Sequence, residues 1–270
     1  NKLDYSHDLF AQEALGYVEK NYRQSFFLYL AFTLPHANNE AKDKGMEVPD
    51  LGEFANKNWP EPEKAKAAMI TRMDRDVGRL MALLKKLGVD QNTIVFFTSD
   101  NGPHKEGGAN PDFHDSNGSL RGIKRDLYEG GIRVPMIVRW PGRVKARNIS
   151  EQVWAHWDFL PAAAAIAGAK TPDKIDGISM LPALLGKKQR SHEFLYWEFH
   201  ENGFAQAVRV GDWKAVSRDS ANPLELYNLK DDASEQRNIA ASHADIVRKI
   251  EAYLKSARTE SSLWPVKSKQ

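Results

Sequence analysis

The sequence predicts an α/β fold in which a mostly parallel sheet is flanked by helices, followed by a small antiparallel sheet subdomain with a helix. Two observations carry this prediction. Helical and strand-like patterns alternate through the first two thirds of the chain, which is typical of layered α/β folds. From about Glu193 onward, strand-like segments follow one another directly and a single amphipathic helix comes after them. The sequence therefore predicts a change of architecture near residue 190.

The first elements alternate as a parallel α/β layer requires. Residues 8–20 have a helical pattern, and the continuous apolar run 25–32 (SFFLYLAF) is typical of a strand buried on both faces. A long amphipathic helix follows, and Gly88 stops it. Its apolar positions are Met69, Met73, Val77, Leu80, Leu84 and Leu87. The run 93–98 (TIVFFT) predicts the next buried strand.

The later elements define the predicted domains. Residues 134–140 predict a strand and residues 157–167 a short helix. We place a boundary at the linker Lys187-Lys188-Gln189-Arg190, so that residues 1–190 form the α/β domain and residues 191–270 the C-terminal α+β subdomain. Its predicted strands are 194–199, 205–210, 213–217 and 224–229, and its helix presents Ile246, Val247, Ile250, Tyr253 and Leu254 on one face.

Composition excludes several classes of function. The 270 residues carry a net charge of +2, which provides no general field for nucleic acid. There is no cysteine, so thiolate zinc sites, disulfides and cysteine nucleophiles are excluded for this chain. No apolar run reaches the roughly 20 residues that span a bilayer. The chain starts at Asn1 without a Met or a signal-peptide pattern, so we expect it to begin within a longer protein.

The first candidate for chemistry is the pair Asp100-Asn101. It follows the strand 93–98 at its C-terminal end, where open α/β sheets bind ligands. A carboxylate beside an amide oxygen offers two hard oxygen ligands to a divalent cation. The alternative is an Asx-turn that only ends the strand.

Two further segments could bind an anion. Residues 116–124 and 128–135 combine glycines with Arg121, Lys124 and Arg133, so the backbone can approach an anion closely while the side chains supply positive charge. The alternative is a basic surface loop with ordinary glycine turns. Pro35-His36 directly follows the strand 25–32. This imidazole could donate to an anion, protonate a leaving group or serve only a structural role.

Together these segments resemble the sulfatase family of the alkaline phosphatase superfamily, and the resemblance extends over nearly the whole chain. The residues that carry it are Pro35-His36, 71–78 (TRMDRDVG), 98–102 (TSDNG), 120–124 (LRGIK), 129–135 (EGGIRVP), 157–161 (WDFLP), 176–179 (DGIS), 209–214 (RVGDWK) and 225–229 (ELYNL).

The resemblance implies an alkaline-phosphatase-like sheet and a set of site residues. Asp100 and Asn101 would be ligands of a divalent cation, usually Ca²⁺ in this family, and Lys124 and His36 would contact the sulfate and its leaving oxygen. Three more residues are expected to contact the substrate: His104, Lys105 and Arg121. His104 and Lys105 could equally be solvated loop residues. It also implies a periplasmic or secreted protein.

The chain departs from the family pattern in two respects. Sulfatases need a segment Cys or Ser-x-Pro-x-Arg whose first residue is oxidised to formylglycine, and these 270 residues contain none. The paired Asp ligands of the family's first strand also lack a counterpart. We therefore expect the catalytic domain to be incomplete at its N-terminus, the chain alone to be inactive, and either self-association or a complementing N-terminal segment.

Three functions follow from these observations. The first is a sulfuric ester hydrolase that acts on an aryl or carbohydrate sulfate. The second is a related phosphoester or phosphonate hydrolase, against which the Leu120-Arg121-Gly122-Ile123-Lys124 block argues. The third is a non-catalytic domain that binds sulfated glycans through His104, Lys105, Arg121 and Lys124.

Overall fold

The longest element of the chain is the helix α2, Glu61–Lys86, and its ends follow from its sequence. Pro62 lies in the first turn with acidic neighbours, and Lys85 and Lys86 lie in the last turn, where cations favour the helix dipole. Gly88 follows with a φ of 74°, a left-handed conformation that favours glycine. The predicted helix and its stop are therefore confirmed.

The computed structural model describes residues 4–201, 203–219 and 222–266. The chain divides into two units. The first unit comprises residues 1–96, 104–116 and 138–142, and the second comprises residues 97–103, 117–137 and 143–270. The boundary near residue 190 stays a prediction.

The first unit is built on two helices. The helix α1 is Ser6–Asn21, which confirms the predicted helix over residues 8–20. Val18 of α1 packs with Leu83 and Leu84 of α2 in one apolar cluster. Short 3₁₀ helices at Asn39–Lys44, Gly52–Phe54, Asp90–Asn92 and Pro111–His114 also belong to this unit.

The predicted strand over residues 25–32 is wrong for the structure as described. These residues form no strand, and their side chains alternate between half-buried and exposed. Phe27 is 67% exposed and Tyr29 is 81% exposed, whereas a strand buried on both faces would cover both rings. A strand needs a neighbour to receive its backbone hydrogen bonds, and none of the described strands pairs with this segment.

The predicted strands 93–98 and 134–140 are confirmed in shorter form. They are β1, Val95–Thr98, and β2, Met136–Arg139, and they form a two-stranded sheet. Between them lies the short helix α3, Glu129–Ile132. A larger parallel sheet is not present among the described residues, so that part of the predicted fold class stays a prediction.

The predicted C-terminal strands and helix are confirmed in the second unit. The four strands form one antiparallel sheet in chain order, with Leu195 opposite Arg209 and Trp213 opposite Asn228. The strands are β3 (Leu195–Phe199), β4 (Ala205–Val210), β5 (Trp213–Ser217) and β6 (Glu225–Asn228). A buried cluster on one face joins Val208 and Leu226 to Ile250, which lies on the last helix.

Three more helices complete the second unit, and two 3₁₀ helices accompany them. They are α4 (Phe159–Ala167), α5 (Leu181–Leu184) and α6 (Ala244–Ala257), with 3₁₀ turns at His156–Asp158 and Ala240–Ser242. The helix α4 confirms the predicted helix over residues 157–167 and ends at Gly168, whose φ is 67°. Among the described residues, no helix is both long and apolar enough to cross a membrane.

Candidate active site

The predicted metal ligands lie on the turn that follows β1. Asp100 is exposed and Asn101 is half-buried. The Asn101 amide donates from Nδ2 to the carbonyl of Gly102 at 2.9 Å, so its Oδ1 is the atom that can accept or coordinate. The imidazole of His156 donates from Nε2 to the carbonyl of Ser99 at 3.0 Å. Both ends of the turn are thus held by hydrogen bonds.

The turn is hydrogen-bonded to the glycine pair of α3. The N–H of Gly102 donates to the carbonyl of Gly131 at 2.9 Å. Gly130 and Gly131 are buried, and side chains there would collide with backbone oxygens of residues 121–126. The glycines predicted to allow close approach therefore serve backbone-to-backbone packing.

The Lys124 loop, residues 117–128, is hydrogen-bonded both to the turn after β1 and to α3. The N–H of Lys124 donates to the carbonyl of Pro103 at 2.9 Å, and the N–H of Gly130 donates to the carbonyl of Arg121 at 2.6 Å. The Asn117 amide donates to the carbonyl of Gly122 at 2.9 Å and stabilises the loop from within. The turn after β1 and the Lys124 loop therefore form one hydrogen-bonded structure.

Arg121 has protein partners in the second unit. Its Nη1 donates to the Tyr227 hydroxyl at 3.0 Å and to the Glu235 carbonyl at 2.9 Å. Its guanidinium carbon lies 3.9 Å from the centroid of the Tyr128 ring, a cation–π contact. A substrate contact by Arg121 stays a prediction, and these contacts give it a structural role.

His36 and His104 lie beside one carboxylate in the first unit. Glu106 Oε2 is 3.7 Å from His36 Nε2 and 3.8 Å from His104 Nδ1. The two imidazole centroids are 5.7 Å apart. His104 is buried, whereas the side chain of His36 is 45% exposed. Glu106 therefore places one negative charge beside both rings.

The backbone determines which nitrogen of each histidine carries hydrogen. His36 Nδ1 lies 2.7 Å from the Ala37 carbonyl and donates to it, because a carbonyl oxygen can only accept. This leaves Nε2 as the nitrogen that faces Glu106. His104 accepts from the Glu106 N–H at Nδ1 and donates from Nε2 to the Pro35 carbonyl at 3.0 Å. His104 is thereby held as one neutral tautomer. Lys105, the next residue, is exposed.

Sequence reasoning missed Glu106, Glu129, Lys214 and Glu235. Glu106 lies two positions after His104, a spacing that could have been noticed as His-x-Glu. Glu129 and Lys214 fall inside blocks that carried the family resemblance, yet neither was assigned a role. Lys214 is 0% exposed and lies 2.9 Å from a Glu129 oxygen.

Asp100 and Asn101, after β1, offer the type of oxygen ligand that a calcium ion binds, but they offer too few of them. A carboxylate and an amide oxygen are hard donors of the type that Ca²⁺ takes, but the ion requires six to eight oxygens. Within the described ranges, no group of three or more His, Asp or Glu side chains could hold a metal. Asp100 and Asn101 could therefore supply only part of such a site.

Comparisons with known proteins agree on one family. The sulfatase family model matches residues 2–169, and the model described as N-sulphoglucosamine sulphohydrolase, C-terminal, matches residues 123–260. Steryl-sulfatase of Mus musculus is 36% identical over 76% of this chain and 32% of its own length. N-acetylgalactosamine-6-O-sulfatase of Bacteroides thetaiotaomicron is 28% identical over 93% of this chain and 51% of its own length.

A solved structure shares the fold. The crystal structure of Ps i-CgsB in complex with k-i-k-neocarrahexaose superposes with a TM-score of 0.80 and 31% identity, covering 98% of this chain and 58% of that chain. The chain spans about a third to a half of the length of the curated relatives it matches.

Proposed function

Because this chain belongs to the sulfatase family, we propose that it supplies the sulfate-binding groups and the general acid of a sulfuric ester hydrolase. The observation that carries the proposal is the hydrogen-bonded structure of the second unit, in which Lys124 donates to Pro103 and Gly102 donates to Gly131. These hydrogen bonds join the turn that carries Asp100 and Asn101 to the Lys124 loop. Such fixed positive groups stabilise charge that develops on a transferring group.

Lys124 is proposed to bind and neutralise the sulfate group. Its backbone is fixed by the bond to Pro103, and the side chain brings an ammonium charge to a half-buried position. Asp100 and Asn101 would hold a calcium ion, which when bound would polarise sulfate oxygens. Further ligands would have to come from residues beyond those of this turn.

His36 is proposed as the proton donor to the leaving oxygen. Its Nδ1 hydrogen is committed to the Ala37 carbonyl, so Nε2 carries the proton that can be transferred. Glu106 Oε2 lies 3.7 Å from this Nε2 and places a negative charge beside the ring. Histidine is the side chain that most often serves as a general acid.

The attacking oxygen is expected from formylglycine in a Cys or Ser-x-Pro-x-Arg segment, which this chain does not contain. Acid catalysis and charge stabilisation contribute a few powers of ten, but cleavage of a sulfate ester also needs a positioned nucleophile. We therefore propose that the 270-residue chain alone is inactive.

The proposed substrate is an aryl or carbohydrate sulfate ester. The relatives include an N-acetylgalactosamine-6-O-sulfatase and a steryl-sulfatase, and one similar structure is a complex with k-i-k-neocarrahexaose. These names support the ester class without choosing between its members. The periplasmic or secreted location implied by the resemblance stays a prediction.

The test compares the 270-residue chain with a longer protein that joins it to a formylglycine segment. Turnover of 4-nitrophenyl sulfate and of a sugar sulfate is measured for each. Lys124→Ala in the longer protein should lose about a hundredfold or more in kcat, as for loss of one oxyanion-stabilising group. The exposed Lys145 provides the matched control, and Lys145→Ala should retain activity.

His36→Ala should reduce turnover of the sugar sulfate more than that of 4-nitrophenyl sulfate, because only the poor leaving group needs a proton as its bond breaks. Equal loss on both substrates would contradict the acid role. Turnover by the 270-residue chain itself, in a preparation free of other sulfatases, would show that a nucleophile had been overlooked. Binding of a sulfated glycan by an inactive chain would instead support the non-catalytic alternative.

A further inference from the structure

The second unit contains a buried cluster of three charged side chains. Lys214, on β5, and Glu235 are both 0% exposed, and Glu129 at the start of α3 is 3% exposed. The Lys214 Nζ lies 2.9 Å from a Glu129 oxygen and 3.0 Å from Glu235 Oε1. A buried ammonium is costly unless it is paired, and here two carboxylates pair with it.

Glu235 also holds the backbone of α3. Its Oε2 accepts the N–H of Glu129 at 2.6 Å, while its Oε1 faces Lys214. Burial raises the pKa of Glu235, and Lys214 opposes that rise. Its own backbone has a φ of 51°, an uncommon conformation for a residue with a side chain. The first residue of α3 is therefore fixed through both its N–H and its carboxylate.

The same short helix carries the hydrogen bonds of both proposed sulfate-binding segments. The N–H of Gly130 donates to Arg121, which is in the Lys124 loop, and the carbonyl of Gly131 accepts from Gly102 in the Asp100-Asn101 turn. Displacement of α3 would thus move both segments.

A second link runs directly from the cluster to the Lys124 loop. The Glu235 carbonyl accepts from Arg121 Nη1 at 2.9 Å, three residues before Lys124. The side chain of Glu235 holds α3 and its backbone holds the loop. Glu235, which pairs with Lys214, therefore makes both connections.

An apolar residue would fill this space more simply. Ala215 and Val216 beside Lys214 are almost fully buried, and replacing buried ion pairs by apolar groups is often neutral or stabilising. Stability alone therefore does not account for a lysine here, whereas fixing two carboxylates in defined directions does.

We propose that Lys214 is a positioning residue of the sulfate-binding site: by pairing with Glu129 and Glu235, it fixes α3 and thereby the segments that carry Asp100, Asn101 and Lys124. The catalytic consequence rests on the function proposed above for Lys124. The positioning itself does not depend on that function.

Hydrogen exchange of the chain tests the positioning. In Lys214→Met, amide exchange should accelerate about tenfold or more at Gly102 and Gly130, because the ammonium that pairs with both Glu129 and Glu235 is lost. The matched control is Leu226→Ala, a truncation on β6 at the opposite, α6-packed face of the same sheet. When the two variants have lost the same global stability, the amides of Gly102 and Gly130 should exchange more slowly in Leu226→Ala than in Lys214→Met.

A milder variant keeps the proposal testable if Lys214→Met fails to fold. Glu235→Gln retains an oxygen for the Glu129 N–H but removes the charge facing Lys214. It should accelerate hydrogen exchange at Gly102 and Gly130 to a smaller extent than Lys214→Met. If exchange at Gly102 is unchanged in a folded variant, or rises no more than in Leu226→Ala, the positioning role is refuted.

Kinetics of the longer protein with the formylglycine segment test the catalytic consequence. Lys214→Met should lower kcat about tenfold to a hundredfold with little change in KM, since misalignment affects the transition state more than binding. Equal effects on kcat in Leu226→Ala would indicate general destabilisation and overturn the catalytic consequence. An inactive parent protein would refute the proposed function, and the exchange result would still decide the positioning role.

Discussion

The carbonyl oxygen of Gly130 lies 1.8 Å from the position that a Cβ on Gly102 would occupy. No side chain fits at that distance from a backbone oxygen. The turn after β1 therefore approaches α3 more closely than any residue other than glycine permits, and the N–H of Gly102 reaches the Gly131 carbonyl at 2.9 Å.

Gly102→Ala is expected to destabilise the protein by roughly 1–3 kcal/mol, because backbone must shift to admit the methyl group. Urea unfolding measures the change. The control is Gly78→Ala in α2, where an added Cβ meets nothing within 4 Å. This control should stabilise the helix by up to about 1 kcal/mol. Equal stability of Gly102→Ala and the parent would contradict the packing described here.

The elements that sequence predicts well are those determined by nearby residues. Gly88 stops α2 and Gly168 stops α4 because each adopts a left-handed conformation at the helix end. The strands of the antiparallel sheet follow from short turns and alternating side chains. The segment 25–32 has strand composition but forms no strand, because pairing depends on a neighbour that composition does not reveal.

The candidate site also contains residues that sequence predicts and residues that it does not. The Asp100-Asn101 turn was predictable from its position after β1. The cluster around Lys214 was not, because Glu129 lies 85 positions away in sequence and the Glu129–Glu235 bond spans 106 positions. A strand pattern shows which residues share a face of β5, but not which charges the fold brings to that face.

Calcium binding by the chain alone should be weak, with a Kd in the millimolar range or above, because the turn offers two oxygen ligands where the ion takes about six to eight. Isothermal titration calorimetry measures it. Asp100→Asn should remove whatever binding occurs, and Asp173→Asn, at an exposed carboxylate elsewhere, should not. Micromolar affinity that disappears in Asp100→Asn would show that the chain contains a complete site.

His7 should make stability depend on pH. The ring is 0% exposed, and burial lowers its pKa from the usual 6.5, against the opposing effect of Asp76 at 3.2 Å. The folded protein therefore binds this proton less readily than the unfolded chain. The stability that the neutral ring contributes is present above about pH 6.5 and is lost as the pH falls below that value.

The measurement for His7 is the free energy of unfolding in urea between about pH 5 and pH 8. His7→Phe, whose ring can lie against Phe32 as the imidazole does, should flatten the fall toward acid pH. Val18→Ala, at another buried position of α1, removes no titratable group and should keep the slope of the parent. A parent and a His7→Phe variant with the same slope would show that His7 does not titrate differently on folding.

Residues 25–32 should promote association of the chain. Phe27 and Tyr29 are 67% and 81% exposed within an apolar segment that belongs to no strand, and such a segment favours pairing with another chain. We expect sedimentation velocity to show species larger than the monomer as concentration rises. The double variant Phe27→Ser/Tyr29→Ser should shift the distribution toward monomer, because it removes apolar surface from the segment.

The matched control for association is Ile149→Ser, at a side chain that is 90% exposed in a loop of the second unit. It removes a comparably exposed apolar group, so it should leave the association unchanged if the segment 25–32 is responsible. A complementing polypeptide that contains the early strands of a sulfatase should suppress association by covering the same side chains. A parent chain that stays monomeric at high concentration would contradict this prediction, and equal effects of both variants would mean that apolar exposure in general, not residues 25–32, causes the association.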